Sequence, residues 1–310
     1  MLKKIKKIFK IIVLLFAIFF VFNIILNKNI FVRKYKVKSS KITDKLDGYK
    51  IVQITDVHSV RNEIEFEKII NKIKKQEPDL ICVTGDLIDA EYYLSQNNLY
   101  ENKKINQIEE LTVKFMKELK EIADIHYIYG NHEMMLLDDP ENNKFKKDLE
   151  ELGVEILNNK IEELEIDGER INLIGIQDPA TLYKDEKYAY IKGNNKNKVQ
   201  AILNDLFLEI PEENRNKFTI LLSHRPEYFE LYDKYNIDLA LTGHTHGGIV
   251  KLPIINGIYA HPQGWFPEYS YGIYKTNNFS MIISGGIGYS KLPIRIFNPP
   301  EICTITLEKE

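Results

Sequence analysis

Cysteine is nearly absent. The 310 residues hold two, Cys82 and Cys303, each inside an apolar run (Leu80–Val83 and Ile302–Ile305), where a thiol serves as a small buried hydrophobe. Two isolated thiols build neither a disulfide framework nor a thiolate metal site. Any bound metal must therefore use nitrogen and oxygen donors. A strong charge bias is also missing: the formal net charge is -3, which carries no signature of a nucleic-acid surface, so no nucleic-acid partner is expected. No long internal repeat occurs. The length suffices to bury a full core, as one large domain or two small ones.

One long apolar run is present. Between Lys10 and Lys28 stand 17 uncharged residues, Ile11–Asn27. As a helix rising about 1.5 Å per residue they cover about 26 Å, close to one hydrocarbon core. A basic stretch (Lys3, Lys4, Lys6, Lys7, Lys10) precedes them, as in a secretory signal. No small-x-small cleavage site follows, only Asn23, Asn27 and Lys28, so the segment reads as a retained anchor. The expected organisation is a basic tail and transmembrane anchor over 1–28, a juxtamembrane segment over 29–47 and one domain over 48–310. The short basic tail favours a single-pass protein in the cell membrane with its domain on the extracytoplasmic side. Lys28, Arg33, Lys34, Lys36, Lys38 and Lys41 balance that tail on the other flank; this cluster could instead rest on anionic headgroups.

From Gly48 onward the pattern is α/β. Tyr49–Thr55 reads as a buried strand, Glu63–Gln76 has helical spacing (Ile64, Ile69, Ile70, Ile73), and Asp79–Thr84 is a second apolar strand. That β-α-β order implies parallel pairing. A helix around Ile105–Ile122 leads to a third strand, Ile125–Tyr129. Ile161–Ile166 and Arg170–Ile176, joined by Asp167-Gly168, read as a hairpin. Asp178–Asn197 is polar, with Gly193-Asn194-Asn195, and reads as a surface excursion. A helix near Lys198–Leu208 is followed by strands Phe218–Leu222, Asp238–Thr242, Phe279–Ser284 and Ile302–Leu307.

Five of the seven histidines fall just beyond these strands, each in a short polar motif. Asp56-Val57-His58 follows the first, Gly85-Asp86-Leu87-Ile88-Asp89 the second, and Gly130-Asn131-His132-Glu133 the third. His224 follows Phe218–Leu222, and Gly243-His244-Thr245-His246-Gly247-Gly248 follows Asp238–Thr242. In open α/β sheets ligands gather at the carboxyl ends of strands, so the five loops should converge on one rim. Two divalent ions roughly 3.5–4 Å apart need a shared anion and enough neutral or anionic ligands to hold both. Neighbouring glycines let the backbone turn sharply and approach closely. A lone Asp-x-His or Gly-Asn-His is usually a turn; the joint appearance of all five motifs in this order is not.

This set resembles the calcineurin-like metallophosphoesterases, over roughly Tyr49 to the carboxyl terminus. The resemblance implies a two-sheet β-sandwich flanked by helices, here behind an N-terminal transmembrane helix, and a hydrolase with two divalent metal ions (Mn, Fe or Zn). It implies that Asp56, His58, Asp86 and His246 hold one ion, and that Asp86 bridges to a second completed by Asn131, His224 and His244. It makes His132 the catalytic imidazole beside the substrate. Gly285-Gly286-Ile287-Gly288, Leu292-Pro293-Ile294-Arg295, Asn298-Pro299-Pro300-Glu301-Ile302 and Pro262-Gln263-Gly264 resemble the membrane-anchored bacterial branch, similar to lipid A precursor pyrophosphatases and phosphodiesterases. The implied substrate is a phosphodiester or pyrophosphate that is membrane-associated or lipid-linked. A phosphomonoesterase or protein phosphatase is the alternative, and a non-catalytic scaffold of the same fold a third.

Other residues keep two readings. Asp89 or Glu133 could orient an imidazole; for Asp89 a structural hydrogen bond within its loop is the alternative. Arg225 is a candidate substrate-phosphate contact, or an exposed arginine at a helix start; Arg295 carries the same ambiguity. His126 alternates with apolar strand residues and reads as a strand-face histidine. His261 lies in an aromatic loop (Tyr259, Trp265, Phe266, Tyr269, Tyr271) that could line an apolar substrate pocket or serve packing. The physiological substrate and oligomeric state are left open.

Overall fold

The computed structural model describes residues 2–58, 63–89, 101–136, 143–179, 195–252, 257–289 and 294–310. Residues 180–194 of the expected surface excursion and the Leu292-Pro293 pair lie outside them. The chain opens with α1 (Leu2–Asn27), long and apolar enough to cross a membrane, with nearly all its large apolar side chains from Ile5 to Ile25 exposed.

There follow β1 (Phe31–Ser39), β2 (Lys50–Ile54), α2 (Glu63–Lys74), β3 (Leu80–Thr84), α3 (Glu101–Lys120), β4 (Asp124–Ile128), α4 (Asn131–Leu136), α5 (Lys144–Glu151) and β5 (Val154–Ile156). The second half holds β6 (Lys160–Ile166), β7 (Glu169–Ile176), α6 (Asn195–Glu209), β8 (Thr219–Ser223), α7 (Phe229–Tyr232) and β9 (Leu239–Thr242). Five short or terminal strands complete it: β10 (Tyr259–Ala260), β11 (Gly264–Trp265), β12 (Gly272–Lys275), β13 (Ser280–Ile283) and β14 (Glu301–Lys309).

Two six-stranded mixed sheets form, in the orders β1-β14-β2-β3-β4-β5 and β12-β13-β9-β8-β7-β6. Strand alternation decides what each face meets. Ile220 and Leu222 of β8 point at the first sheet, where they join Ile51, Leu80, Cys82 and Ile305 in the core between the sheets. Leu221, between them, points outward to Val199, Ile202 and Leu206 of α6. In the first sheet Val52, Ile81 and Val83 pack outward against Ile69 of α2, Phe115 of α3 and Phe145 of α5. With both faces covered, the central strands are continuous apolar runs. The architecture is the expected sandwich: helices, sheet, sheet, helix.

The β6–β7 hairpin turns at Asp167 (φ 51°) and Gly168 (φ 81°), a left-handed pair that matches strand twist. The segment read as juxtamembrane contributes β1, which pairs in parallel with β14 along all nine residues. Its alternating lysines (Lys34, Lys36, Lys38) suit an edge strand facing water, and that charge hid the strand pattern. At the carboxyl ends the sheets are tied together: Gln53 Nε2 donates to Thr84 Oγ1 (2.9 Å) and to the Thr242 carbonyl (2.8 Å). The predicted motifs leave the strands just beyond this tie.

Candidate metal centre

Strand ends deliver the motifs. Asp56 and His58 follow β2, Asp86 follows β3, and Asn131 and His132 open α4 after β4. His224 follows β8, and His244 and His246 follow β9. At five of these residues the backbone is left-handed: Asp56 (φ 50°), His58 (48°), Asp86 (53°), His244 (67°) and His246 (46°). Non-glycine residues rarely adopt it, and each instance costs on the order of 1–3 kcal/mol. Here it ends the strand and turns the side chain inward. Crowding is relieved by glycine: a Cβ on Gly130 would stand 2.2 Å from Asp86 Oδ1, and one on Gly243 2.5 Å from Asp56 Oδ2.

Three sets of potential donors result: two hold expected ligands, and the third, His58, Asp89 and His132, shares His58 with the first of them. In the first, His58 Nε2 lies 3.2 Å from His246 Nε2, and His246 Nε2 lies 3.4 Å from Asp56 Oδ1. In the second, Asp86 Oδ2 lies 3.1 Å from His224 Nε2, which lies 3.1 Å from His244 Nδ1. Within each set the ligand atoms fall within 4.8 Å of one another. The sets adjoin: the His244 N–H donates to Asp56 Oδ2 (3.0 Å). His224 Nδ1 sits 2.7 Å from the Thr84 carbonyl; donation there leaves Nε2 to face the centre.

The residues fit cations. Asp56 Oδ1 and Asn131 Oδ1 are buried with no hydrogen-bond donor among the described residues, an arrangement that costs stability unless something positive takes the lone pairs. Burial, reinforced by Asp86, raises the Asp56 carboxyl to about 6. Burial also drives His58 down to about 3 and His246 well below its ordinary value. Two imidazoles kept neutral beside carboxylates, lone pairs converging, suit divalent metal.

His132 stands between the sets, its ring 4.6 Å from that of His58. Nε2 is 3.9 Å from Asp86 Oδ2 and Nδ1 is 3.4 Å from Asp89 Oδ1. Burial disfavours its charged form, but Asp86 and Asp89 outweigh burial and raise it to about 9. Asp89 is thus beside the imidazole, one of the two readings left open. Glu133 is engaged by backbone: its carboxylate accepts from the N–H groups of Asp86 (3.0 Å), Leu87 (2.6 Å), Ile88 (3.1 Å) and Gly130 (2.9 Å). It clamps two loops together.

Arg225 is buried. Its Nε and Nη2 (3.1 Å) engage Asp178, and Nη1 donates to His244 Nε2 (2.7 Å). Asp178, expected to open a surface excursion, is instead fully buried against Arg225, because a carboxylate two residues beyond β7 follows the same strand-end pattern as the other site residues. Arg295 is buried too, donating to the carbonyls of Gly285 (2.8 Å) and Gly288 and standing 3.5 Å from His246 Nδ1. Neither arginine is an exposed surface residue. His126 pairs on its strand with Glu162 (3.0 Å), away from the centre.

Residues 49–248 match the calcineurin-like phosphoesterase family, and the chain belongs to that family. The uncharacterized metallophosphoesterase YkuE of Bacillus subtilis is 28% identical over 278 residues, covering 89% of this chain and 84% of its own. A metallophosphoesterase of Helicobacter pylori is 28% identical over 285 residues, covering 88% of this chain and 64% of its own; this chain spans just under two thirds of that relative. A dimetal phosphatase from Danio rerio aligns over 78% of this chain and 88% of its own, at 12% identity and a TM-score of 0.44. The protein is a metal-dependent phosphoesterase whose clustered donors accord with the two divalent ions typical of the family.

Proposed function

We propose that this protein hydrolyses phosphodiester or pyrophosphate bonds of a membrane-associated or lipid-linked substrate. The observation that carries the chemistry is the pair of carboxylate–imidazole sets flanking His132. In this reading Asp56, His58, Asp86 and His246 hold one cation. Asp86, Asn131, His224 and His244 hold the other. What bound cations supply is Lewis acidity, which offsets charge on phosphoryl oxygens and acidifies water. His132 holds the proton for the leaving oxygen, and Asp89 orients its ring. Part of the upward shift of His132 comes from Asp86 and is lost once that charge is neutralised; Asp89 and, less, Glu133 supply the rest. Arg225, expected as a phosphate contact, is better supported as a positioning residue, since it links Asp178 to His244.

The lipid-linked substrate is supported by α1 and by the tail motifs that resemble the membrane-anchored branch, with the domain on the extracytoplasmic side as its topology. The test is full-length protein in detergent, loaded with manganese. Turnover of bis-p-nitrophenyl phosphate and of a lipid pyrophosphate should exceed that of p-nitrophenyl phosphate. Preference for the monoester would replace this reading with a phosphomonoesterase, and failure on all three would end it.

A further inference from the structure

We propose that the rim of this centre is seated in the lipid bilayer, held by α1 at one end and by the aromatic β10–β11 hairpin at the other. The inference rests on the phosphoesterase reading above and adds where its site stands.

The first end is a contact between α1 and the segment before β14. The Phe297 N–H donates to Asn23 Oδ1 (2.9 Å), and the Phe297 ring meets those of Phe19 and Phe22 at 5.2 and 6.4 Å between centroids. Asn27 Nδ2 donates to the Arg295 carbonyl (2.8 Å). At about 1.5 Å rise per residue, Phe19 lies about 12 Å and Asn23 about 6 Å inside the end of the helix. The 295–297 segment therefore runs beside a stretch of α1 that a bilayer would cover. Asn23, polar within an apolar helix, is satisfied at both ends, since its Nδ2 donates to the Phe19 carbonyl (3.0 Å).

From Phe297 a backbone ribbon leads to the hairpin. Ile296 bridges Val250, and Lys251 N donates to the Ile296 carbonyl (3.0 Å). Ile258 N donates to Val250 O (3.0 Å), and Phe266 N to Ile258 O (2.8 Å). Three neighbour spacings of about 4.8 Å put the two ends roughly 14 Å apart. Outside α1, eight large apolar side chains are exposed among the described residues, and six of them lie on this ribbon: Leu252, Tyr259, Trp265, Phe266, Ile294 and Phe297. Trp265 and Phe266 are 71% and 65% exposed. Such a concentration marks an interface, and Trp and Tyr favour the membrane–water boundary. The occupant is lipid, because the patch is continuous with the flank of α1.

The same ribbon carries the centre. Arg295 reaches His246, Asn298 Nδ2 donates to the His246 carbonyl (2.6 Å), and the His261 ring stands 6.2 Å from that of His244. At the foot of α1, Lys28 and Asn29 join Lys68, Asn71, Lys72 and Lys75 around a cleft of about 270 Å³ lined by no acid among the described residues, complementary to headgroup phosphates. A phosphate borne by a lipid would meet the centre without leaving the headgroup layer.

Trp265 is the only tryptophan in the chain, so its emission reports this hairpin alone. Full-length protein is reconstituted in phosphatidylcholine–phosphatidylglycerol nanodiscs with acyl chains brominated near the headgroup. The emission should fall by at least half relative to unbrominated discs and resist aqueous iodide. An emission untouched by bromine and open to iodide overturns the proposal; a blue shift that grows with protein concentration but ignores bromine assigns the patch to a second copy and overturns it equally. Phe266→Asn, chosen because Phe266 is left-handed (φ 52°) and Asn tolerates that backbone, should lower turnover of a bilayer-embedded phosphodiester about tenfold. It should leave bis-p-nitrophenyl phosphate within twofold, and equal loss on both also overturns the proposal. Quenching requires no turnover, so an inactive but quenched protein would defeat the phosphoesterase reading alone.

Discussion

Asp56, His58 and His246 form one half of the candidate centre, and Asp86, His224 and His244 the other, each a carboxylate with two imidazoles. Both halves draw on both sheets, since Asp56 and Asp86 follow strands of the first and His224, His244 and His246 follow strands of the second. Their charge states differ. In the second half burial disfavours a charged His224, yet Asp86 and Asp56 overcome it and lift the imidazole to about 10; it holds a proton against the carboxylate. In the first half burial leaves both imidazoles neutral and lifts Asp56 to about 6. The second half thus pairs a charged imidazole with a neutral one, since burial and Arg225 hold His244 well below its ordinary value, whereas both imidazoles of the first are neutral.

The comparison breaks most sharply at Asp86, the carboxylate assigned to both halves. Asp86→Ala should abolish turnover and empty both positions, seen as a fall from about two metal equivalents to almost none by elemental analysis. His246→Ala should empty the first half only, leaving about one equivalent; loss of both would show that the halves bind as one unit. Next in size is His132→Ala, which should keep both metals and slow turnover by roughly 10²–10⁴, a typical acid–base contribution. Metal loss there would make His132 a ligand.

How much of this could be read from the chain depended on distance. The strands feeding the centre are apolar runs closed by a polar residue, with a glycine between after β3, β4 and β9, a local pattern, so the converging loops were legible. The left-handed backbone at Asp56 and His58 was not, because neither residue type announces it. Asp178 follows the same strand-end rule but lacks a glycine or histidine beside it. Glu133 was expected near an imidazole; its four N–H partners come from loops joined only in three dimensions. The placement of β14 between β1 and β2 couples residues some 250 to 270 positions apart, beyond any periodicity. The lysines of β1 advertised a membrane flank and concealed a strand.

A smaller effect would separate the halves from behind. Asp178→Asn weakens the hold on Arg225, and through it on His244, so it should lower affinity for one cation by roughly 10–100-fold, the usual cost of losing an outer-shell partner. The other affinity should stay unchanged. Chelator competition resolves the two steps; a parallel fall in both would mean that Arg225 supports the whole rim.

The smallest effect concerns Lys251, which lies behind the first half: a Cβ on Gly247 would stand 3.0 Å from its Nζ. This amine is buried over the Tyr271 ring, with no hydrogen-bond partner among the described residues. Burial lowers it to about 7, against the pull of Glu301 and with the help of Arg295 and Arg33. Between pH 7 and its ordinary value of 10.5 the unfolded chain binds a proton that the folded chain has released. Stability from this group therefore rises with pH across that window. His132 and His224, shifted upward, act in the opposite sense but are common to wild type and variant, so the difference isolates the lysine. Lys251→Met should raise the thermal midpoint by a few degrees at pH 7, and that advantage should shrink by pH 9. Circular dichroism melts at the two pH values measure it. An advantage independent of pH would mean that the amine keeps the same protonation folded and unfolded, and that the first half has a permanent positive charge behind it.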